Sequence, residues 1–247
     1  MGSSVLADHP LLAAVRALPL VELGRSAEGR PILGAICGAR RAAARFGAAV
    51  AAAPLLVVGG VHGDEPASVE AVAALARRVF AGAAPTARLV LVPALNPDGL
   101  VRGAKNSARD VDLNRNFPAR NWQAAHPPGY APGAAPLSEP ETRLLADLID
   151  AHAARGVVAV HAPFACVNYD GPAAAWAAAV AAACGWPARE DLGYPTPGSL
   201  GSWLGVDRGL PVLTLELPPG PHAAFGQQAA AALDEAVRPR ESLSESL

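Results

Sequence analysis

The chain has little cysteine, no cluster of basic residues, and no apolar run long and clean enough to cross a bilayer. Its 3 cysteines, Cys37, Cys166 and Cys184, are odd in number and lack a C-x-x-C spacing. That excludes a disulfide framework and fits reduced, half-buried thiols in a cytoplasmic protein. Lysine and arginine total 20 against 22 acids, a formal net charge of −2. Without a basic cluster, neither nucleic acid nor an anionic membrane is an expected partner. The apolar stretch Phe46–Val61 is broken by Pro54 and glycines and is too short for a span. The alanine-rich run after Pro172 ends at Cys184-Gly185-Trp186-Pro187 and suits a packed helix. The start, Met1 to His9, has no basic residue and an early acid, so it does not read as a secretory signal.

What is present is an α/β pattern. Of 247 residues, 51% are apolar, a figure inflated by alanine, and the length can bury a core. Short β-rich runs alternate with helical patterns. Strands are expected at Ile32–Cys37, Leu55–Val58, Leu89–Val92, Val157–Val160 and Val212–Leu217, and helices at Ala67–Phe80, Ala173–Ala183 and Ala223–Val237. A further helix, Ser138–His152, opens on a capping box in which Ser138 caps and Glu141 reaches back. Between Asn96 and Leu137 there is almost no periodicity, which marks a functional loop. No repeat or linker appears, so a single domain with a core of about 20–237 and fraying ends, including 241–247, is expected.

The chemistry begins at Gly59-Gly60-Val61-His62-Gly63-Asp64-Glu65-Pro66, directly after the apolar run Leu55–Val58. Imidazole and carboxylate are ordinary zinc ligands, and a catalytic zinc takes three protein ligands and keeps one position open. Alone, H-x-x-E also fits a surface turn. Three further segments accompany it: Val111-Asp112-Leu113-Asn114-Arg115-Asn116-Phe117, Val158-Ala159-Val160-His161 and Thr214-Leu215-Glu216-Leu217. In this order and spacing the set resembles the zinc carboxypeptidase family. Gly24-Arg25-Ser26-Ala27-Glu28-Gly29-Arg30-Pro31-Ile32 looks like that family's usual opening. Ser138 to Thr142 and Gly193 to Trp203 are similar to its murein peptide amidase branch, which trims cell-wall peptides. The resemblance covers roughly residues 20–237.

It implies a mixed twisted sheet with helices on both faces and one zinc per chain, held by His62, Glu65 and His161. His161 ends a short apolar strand, where a side chain can point into a cleft at the sheet's carboxyl edge. Asp112 is the implied partner of the second His62 nitrogen, fixing its tautomer. Glu216 is an acid inside an apolar strand, costly to bury without a task, and is expected as the general base and acid. The resemblance makes Asn114 and Arg115 the clamp on a free carboxylate beside the scissile amide, a task that suits the planar guanidinium fork. Tyr194 is implied to close over the same carboxylate. Lys105 stands where many relatives have an arginine that polarises the scissile carbonyl; Arg102 or Arg109 could take that part instead. Among the remaining histidines, His9, His152 and His222 read as surface or helix-end residues, and His126, in the long loop, could touch substrate. Cys166, five residues after His161, is a conceivable further ligand.

The implied reaction is cytoplasmic hydrolysis of the γ-D-glutamyl–diaminopimelate bond of free murein tripeptide, by a monomer or homodimer. Three alternatives stay open: a general carboxypeptidase on α-peptides, an N-acyl amino acid deacylase, and a zinc-free binding protein. The Asn114-Arg115 and Tyr194-to-Trp203 segments fit the deacylase less well, and the intact ligand set speaks against the zinc-free protein.

Overall fold

The computed structural model describes residues 9–37, 53–83 and 88–239. The stretches 1–8 and 241–247 and the first part of the apolar run from Phe46 lie outside the described residues. In chain order the elements are α1 (Pro10–Arg16), β1 (Val21–Arg25), β2 (Pro31–Cys37), β3 (Leu55–Val58), α2 (Pro66–Phe80), β4 (Leu89–Val92) and α3 (Pro97–Arg102). They continue with α4 (Pro140–Ala151), β5 (Gly156–His161), β6 (Cys166–Asp170), α5 (Ala174–Cys184), β7 (Ala188–Arg189), β8 (Val212–Glu216) and α6 (Gly226–Ala236). A 3-10 turn spans Leu113–Arg115 and a π-helical segment spans Ser202–Asp207.

The strands form one eight-stranded mixed sheet in the order β1-β2-β4-β3-β5-β8-β6-β7. Its centre, β4-β3-β5-β8, is parallel, whereas β2 and β6 run antiparallel to their neighbours there. Successive side chains of a strand point to opposite faces, and both faces are apolar in the central strands. Leu55, Val57, Val158, Val160, Leu213 and Leu215 pack under α2, α5 and α6, where Trp176 and Leu233 are buried. Leu56, Val58, Val157, Ala159 and Val212 pack under α4, Phe117 and Trp203 of the π-helical segment. Those two rings stack at 5.6 Å. A sheet buried on both faces reads as continuous apolar runs, which is why these strands were visible in the sequence. Among the described residues no helix is long and apolar enough to cross a membrane.

Elements α1, β1, β6 and β7 were not expected, and two further details differ from expectation. The capping box does not form: Glu139 is the N-cap of α4 and makes no side-chain cap bond. Pro140 at the first helical position contributes no N–H, Ser138 Oγ is taken by Asn116 and Glu139, and Glu141 accepts from the Ala27 amide at 3.0 Å. The long loop is also less irregular than its composition suggests, since it contains α3 and the 3-10 turn. Buried Asn116 organises the rest. Its amide donates to Pro132 O at 2.7 Å and Ala135 O at 2.9 Å, and its carbonyl accepts from Thr142 Oγ1 at 2.6 Å.

Candidate active site

The site lies where the parallel strands end, the usual place for ligands in open α/β sheets. After β3 the chain turns through Gly60, whose φ of +59° favours glycine. A Cβ on Gly63 would collide with the backbone of Gly99 in α3. This tight turn presents His62, and the next turn opens α2 with Glu65 at the N-cap and Pro66 at the first helical position. The Glu65 carboxylate does not cap its own helix. It faces two histidines instead: Oε1 lies 2.8 Å from His62 Nδ1 and Oε2 lies 3.1 Å from His161 Nδ1. His161 is the last residue of β5, and its ring meets that of His62 edge-on at 4.8 Å.

The other His62 nitrogen, Nε2, is 2.9 Å from Asp112 Oδ1, which also accepts from the Asn114 amide at 2.9 Å. Lys105 Nζ is 2.7 Å from Asp112 Oδ2. Glu216 closes β8 beside His161, buried, with Oε2 unpartnered. His62, Glu65, Lys105, His161 and Glu216 line a cavity of about 460 Å³ together with Asn114, Arg115, Tyr130, Phe164, Asn168, Asp170, Glu190 and Tyr194, and Asp112 lies buried behind it. Asn114 Oδ1 accepts from the Leu200 amide at 3.0 Å, tying the 3-10 turn to the segment after Tyr194. Thus His62, Glu65, His161, Asp112, Glu216, Asn114, Arg115, Tyr194 and Lys105 all meet in or beneath one cleft.

A family model described as zinc carboxypeptidase matches residues 13–175 of the chain. The chain belongs to the zinc carboxypeptidase family. It is 36% identical to murein peptide amidase A of Escherichia coli K12 over 176 residues, 66% of this chain and 71% of that protein. The crystal structure of the murein-tripeptide amidase of Escherichia coli O157 superposes with a TM-score of 0.70 at 32% identity, covering 93% of this chain and 97% of that one. Bovine thrombin-activatable fibrinolysis inhibitor, in complex with tick carboxypeptidase inhibitor, shares the fold at 17% identity, with a TM-score of 0.73 over 95% and 98%.

The chain is therefore a metal-dependent peptide hydrolase, and its residues fit the zinc of a zinc carboxypeptidase. Among the described residues, one group of possible metal ligands stands out: His62, Glu65 and His161, whose donor atoms all lie within 4.8 Å of one another. Two imidazoles and one carboxylate form the donor set of a catalytic zinc with an open position. The surroundings favour a cation. Burial works against charge on His62, but its bonds to Asp112 and Glu65 outweigh that and raise the imidazole to about 9. Burial likewise opposes charge on Glu65, yet His161 and His62 overcome it and hold the carboxyl at about 2. Glu216 differs. Burial pushes its carboxyl up, with Glu65 adding to the shift and His161 opposing it.

Several expectations resolve against the geometry. Arg102 bonds Glu28 and Ala108 O, and Arg109 lies 4.0 Å from Glu139; neither lines the cleft, whereas Lys105 does. His126 is exposed and bonded to Pro127 O, away from the cleft. Cys166 lies outside the ligand group, its thiol pushed up to about 11 by burial and by Glu216. The opening Ser26–Arg30 is structural: Asp98 of α3 accepts from Ser26 Oγ at 2.8 Å, the Glu28 amide at 3.0 Å and Arg30 Nη1 at 2.7 Å.

The sequence reading missed Asp170, Glu190 and Tyr130. Asp170 carried a signal, because Asn168 and Asp170 alternate with apolar Val167 along a run that could have been recognised as a one-faced strand. Tyr130, in Pro127-Pro128-Gly129-Tyr130, carried none.

Proposed function

We propose that the chain hydrolyses the γ-D-glutamyl–meso-diaminopimelate amide of free murein tripeptide, in the cytoplasm, during recycling of cell-wall peptides. The observation that carries this reading is a cleft lined by charges of both signs. Arg115 and Lys105 line it, and so do Asp170, Glu190 and Asp191. Glu216 and Thr214 of β8 stand opposite Cys166 and Asn168 of β6, and Asp170 follows two residues on. Alternate residues share a face, so Asp170 lies down the sheet from Glu216. Asp170 packs closely on the π-helical segment and the residue before it: a Cβ on Gly201 would overlap its carboxylate, and one on Gly205 would overlap its Cβ and backbone. Diaminopimelate carries a carboxylate beside the scissile amide and, at its far end, an ammonium with a second carboxylate that lysine lacks. The first carboxylate suits Arg115, and the ammonium suits Asp170.

Zinc, when bound, supplies a Lewis acid and lowers the pKa of its water to about 7. In the proposed reaction Glu216 takes a proton from the attacking water and passes it to the departing diaminopimelate nitrogen as the C–N bond breaks. Its raised carboxyl suits both halves of that transfer. Lys105 on this reading polarises the scissile carbonyl, Tyr194 covers the carboxylate gripped by Arg115, and all three line the cleft. On this reading residues 20–237 act as a single catalytic domain, as a monomer or homodimer, whose ligands are His62, Glu65 and His161.

The deciding experiment is a direct choice of substrates. L-Ala-γ-D-Glu-meso-diaminopimelate, the same tripeptide with lysine in place of diaminopimelate, and an α-linked peptide ending in lysine are compared by kcat/KM. The proposal expects the diaminopimelate tripeptide to be cleaved best and cleavage to stop with a chelator. Preference for the α-linked peptide would make the enzyme a carboxypeptidase for basic residues.

A further inference from the structure

Lys105 is the single lysine of this chain; the other 19 of its 20 basic residues are arginines. Its surroundings explain why an ammonium is wanted. Asp112 Oδ1 is already engaged by His62 Nε2 and the Asn114 amide, each at 2.9 Å. Asp112 Oδ2 is buried, and Lys105 Nζ at 2.7 Å is its counter-ion. An ammonium is a compact point charge with three rotatable donors, one of which reaches Gly129 O at 3.5 Å, whereas a guanidinium fork seeks two parallel bonds. An arginine here would draw on both Asp112 oxygens and compete with His62 for Oδ1.

A lysine solves that problem and creates another, because its four-carbon stem is flexible. The backbone end is fixed: Lys105 O accepts from the Gly63 amide at 3.2 Å, which binds it to the turn carrying His62. At the ammonium end, Nζ sits 3.7 Å from the centroid of the Tyr130 ring. The Arg115 guanidinium carbon lies 5.4 Å from the same centroid. Tyr130 is itself held by its neighbours, since the Asp112 amide donates to Ala131 O at 2.8 Å and Asn116 donates to Pro132 O at 2.7 Å. The backbone after Tyr130 is therefore tied to the 3-10 turn that carries Asn114 and Arg115 and to its N-cap, Asp112.

We propose that Tyr130 is a positioning residue of the hydrolytic site. The face of its ring holds the Lys105 ammonium on Asp112 and at the wall of the cleft, and it acts on the reaction through Lys105. The inference rests on the reading of Lys105 as part of the hydrolytic site. An aromatic face over a cation contributes without its hydroxyl, so phenylalanine should serve as well as tyrosine.

The lone lysine makes the test specific. In the zinc-loaded protein grown with ¹³C-lysine, the side chain of Lys105 gives one set of resonances. The ring above it should shift the εCH₂ signal upfield of free lysine in the wild type and in Tyr130→Phe. In Tyr130→Leu that shift should disappear. In parallel, Tyr130→Phe should retain kcat/KM on the tripeptide, while Tyr130→Leu should lose about 2- to 30-fold, the span of a cation–π contact, with its zinc content unchanged. A wild-type signal at the free-lysine position would overturn the proposal, as would equal losses in the two variants or a Tyr130→Leu loss with the Lys105 signal unmoved. If Tyr130→Leu fails to fold, the wild-type and Tyr130→Phe spectra decide. If the wild type does not cleave the tripeptide, the substrate reading fails and the spectra still decide on Tyr130.

Discussion

His161 and Glu216 are register partners at the ends of the neighbouring parallel strands β5 and β8. The backbone separation of the proposed ligand and the proposed base is thus one strand spacing, about 4.8 Å, and no loop intervenes. Glu65 reaches the same point from a helix start, and His62 from a glycine turn. Two of the four thus stand on central strands of the sheet, buried on both faces. Substitutions within the site should therefore report on chemistry more than on collapse of structure.

Glu216→Gln should keep the fold and the zinc and lose about 10² or more in kcat. The amide has nearly the same shape but cannot accept a proton. Burial raises the Glu216 carboxyl, so folding works against its charge, and glutamine removes that cost. The variant should be at least as heat-stable as the wild type at neutral pH. Kinetics alongside thermal denaturation tests both; a rate drop below about tenfold would move the base elsewhere.

Asp112→Asn should weaken zinc binding or activity by about 10- to 100-fold, the usual cost of disturbing the partner of a ligating histidine. Asparagine keeps an acceptor for His62 Nε2 but removes the charge that Lys105 pairs with at 2.7 Å. Competition with a fluorescent chelator measures the affinity. Unchanged affinity and rate would remove Asp112 from the site.

The sequence showed some parts of this fold clearly and others hardly at all, for physical reasons. The central strands are buried on both faces, so their apolar runs stand out. Strand β6 was missed because Asn168 and Asp170 face the cleft rather than a core, and β1 because it is a largely exposed edge strand. His62, Glu65, His161 and Glu216 were legible as candidates because polar residues of these types stand directly beside apolar runs, and the fold brings His62, Glu65 and His161 together as a group able to hold a metal. Tyr130 was not, since its position depends on the hydrogen bonds of Asn116, which joins segments far apart in the chain. The Ser138 capping box failed for the same reason: a distant partner claimed the hydroxyl.

Asp170 offers a test with a sign that depends on pH. Burial, with help from Glu190, raises its carboxyl from 3.8 to about 6. Folding therefore opposes the charge; the cost is absent below pH 3.8, grows up to about 6 and is fully present above it. Asp170→Asn should be more stable than the wild type at pH 8, by roughly 1–2 kcal/mol after discounting for its partial contact with water. The two should converge below about pH 4. Activity should move the other way, with KM for the diaminopimelate tripeptide rising because the far ammonium loses its partner. Denaturation at several pH values, with KM at pH 8, checks both arms. Equal stability of the two proteins across this range would show that Asp170 carries no buried charge.

Arg115 gives the sharpest test of how substrate is held. Its side chain is buried beside the cleft, and Nη1 donates to Asn114 O at 2.7 Å, which leaves other donors of the fork for a ligand. A charge-assisted bond to a carboxylate contributes about 1.5–3 kcal/mol, so Arg115→Ala should lose roughly 10- to 150-fold in kcat/KM. Lysine should restore only part of this, because a point charge cannot make two parallel bonds. Removing a buried guanidinium could also loosen the 3-10 turn, so the substrate supplies the control. A tripeptide amidated at the carboxylate next to the scissile bond should be a poor substrate for the wild type. For that substrate Arg115→Ala should cause little further loss, since the partner of the fork is already gone. If the variant instead loses the same factor on both substrates, Arg115 supports the turn and does not grip the carboxylate.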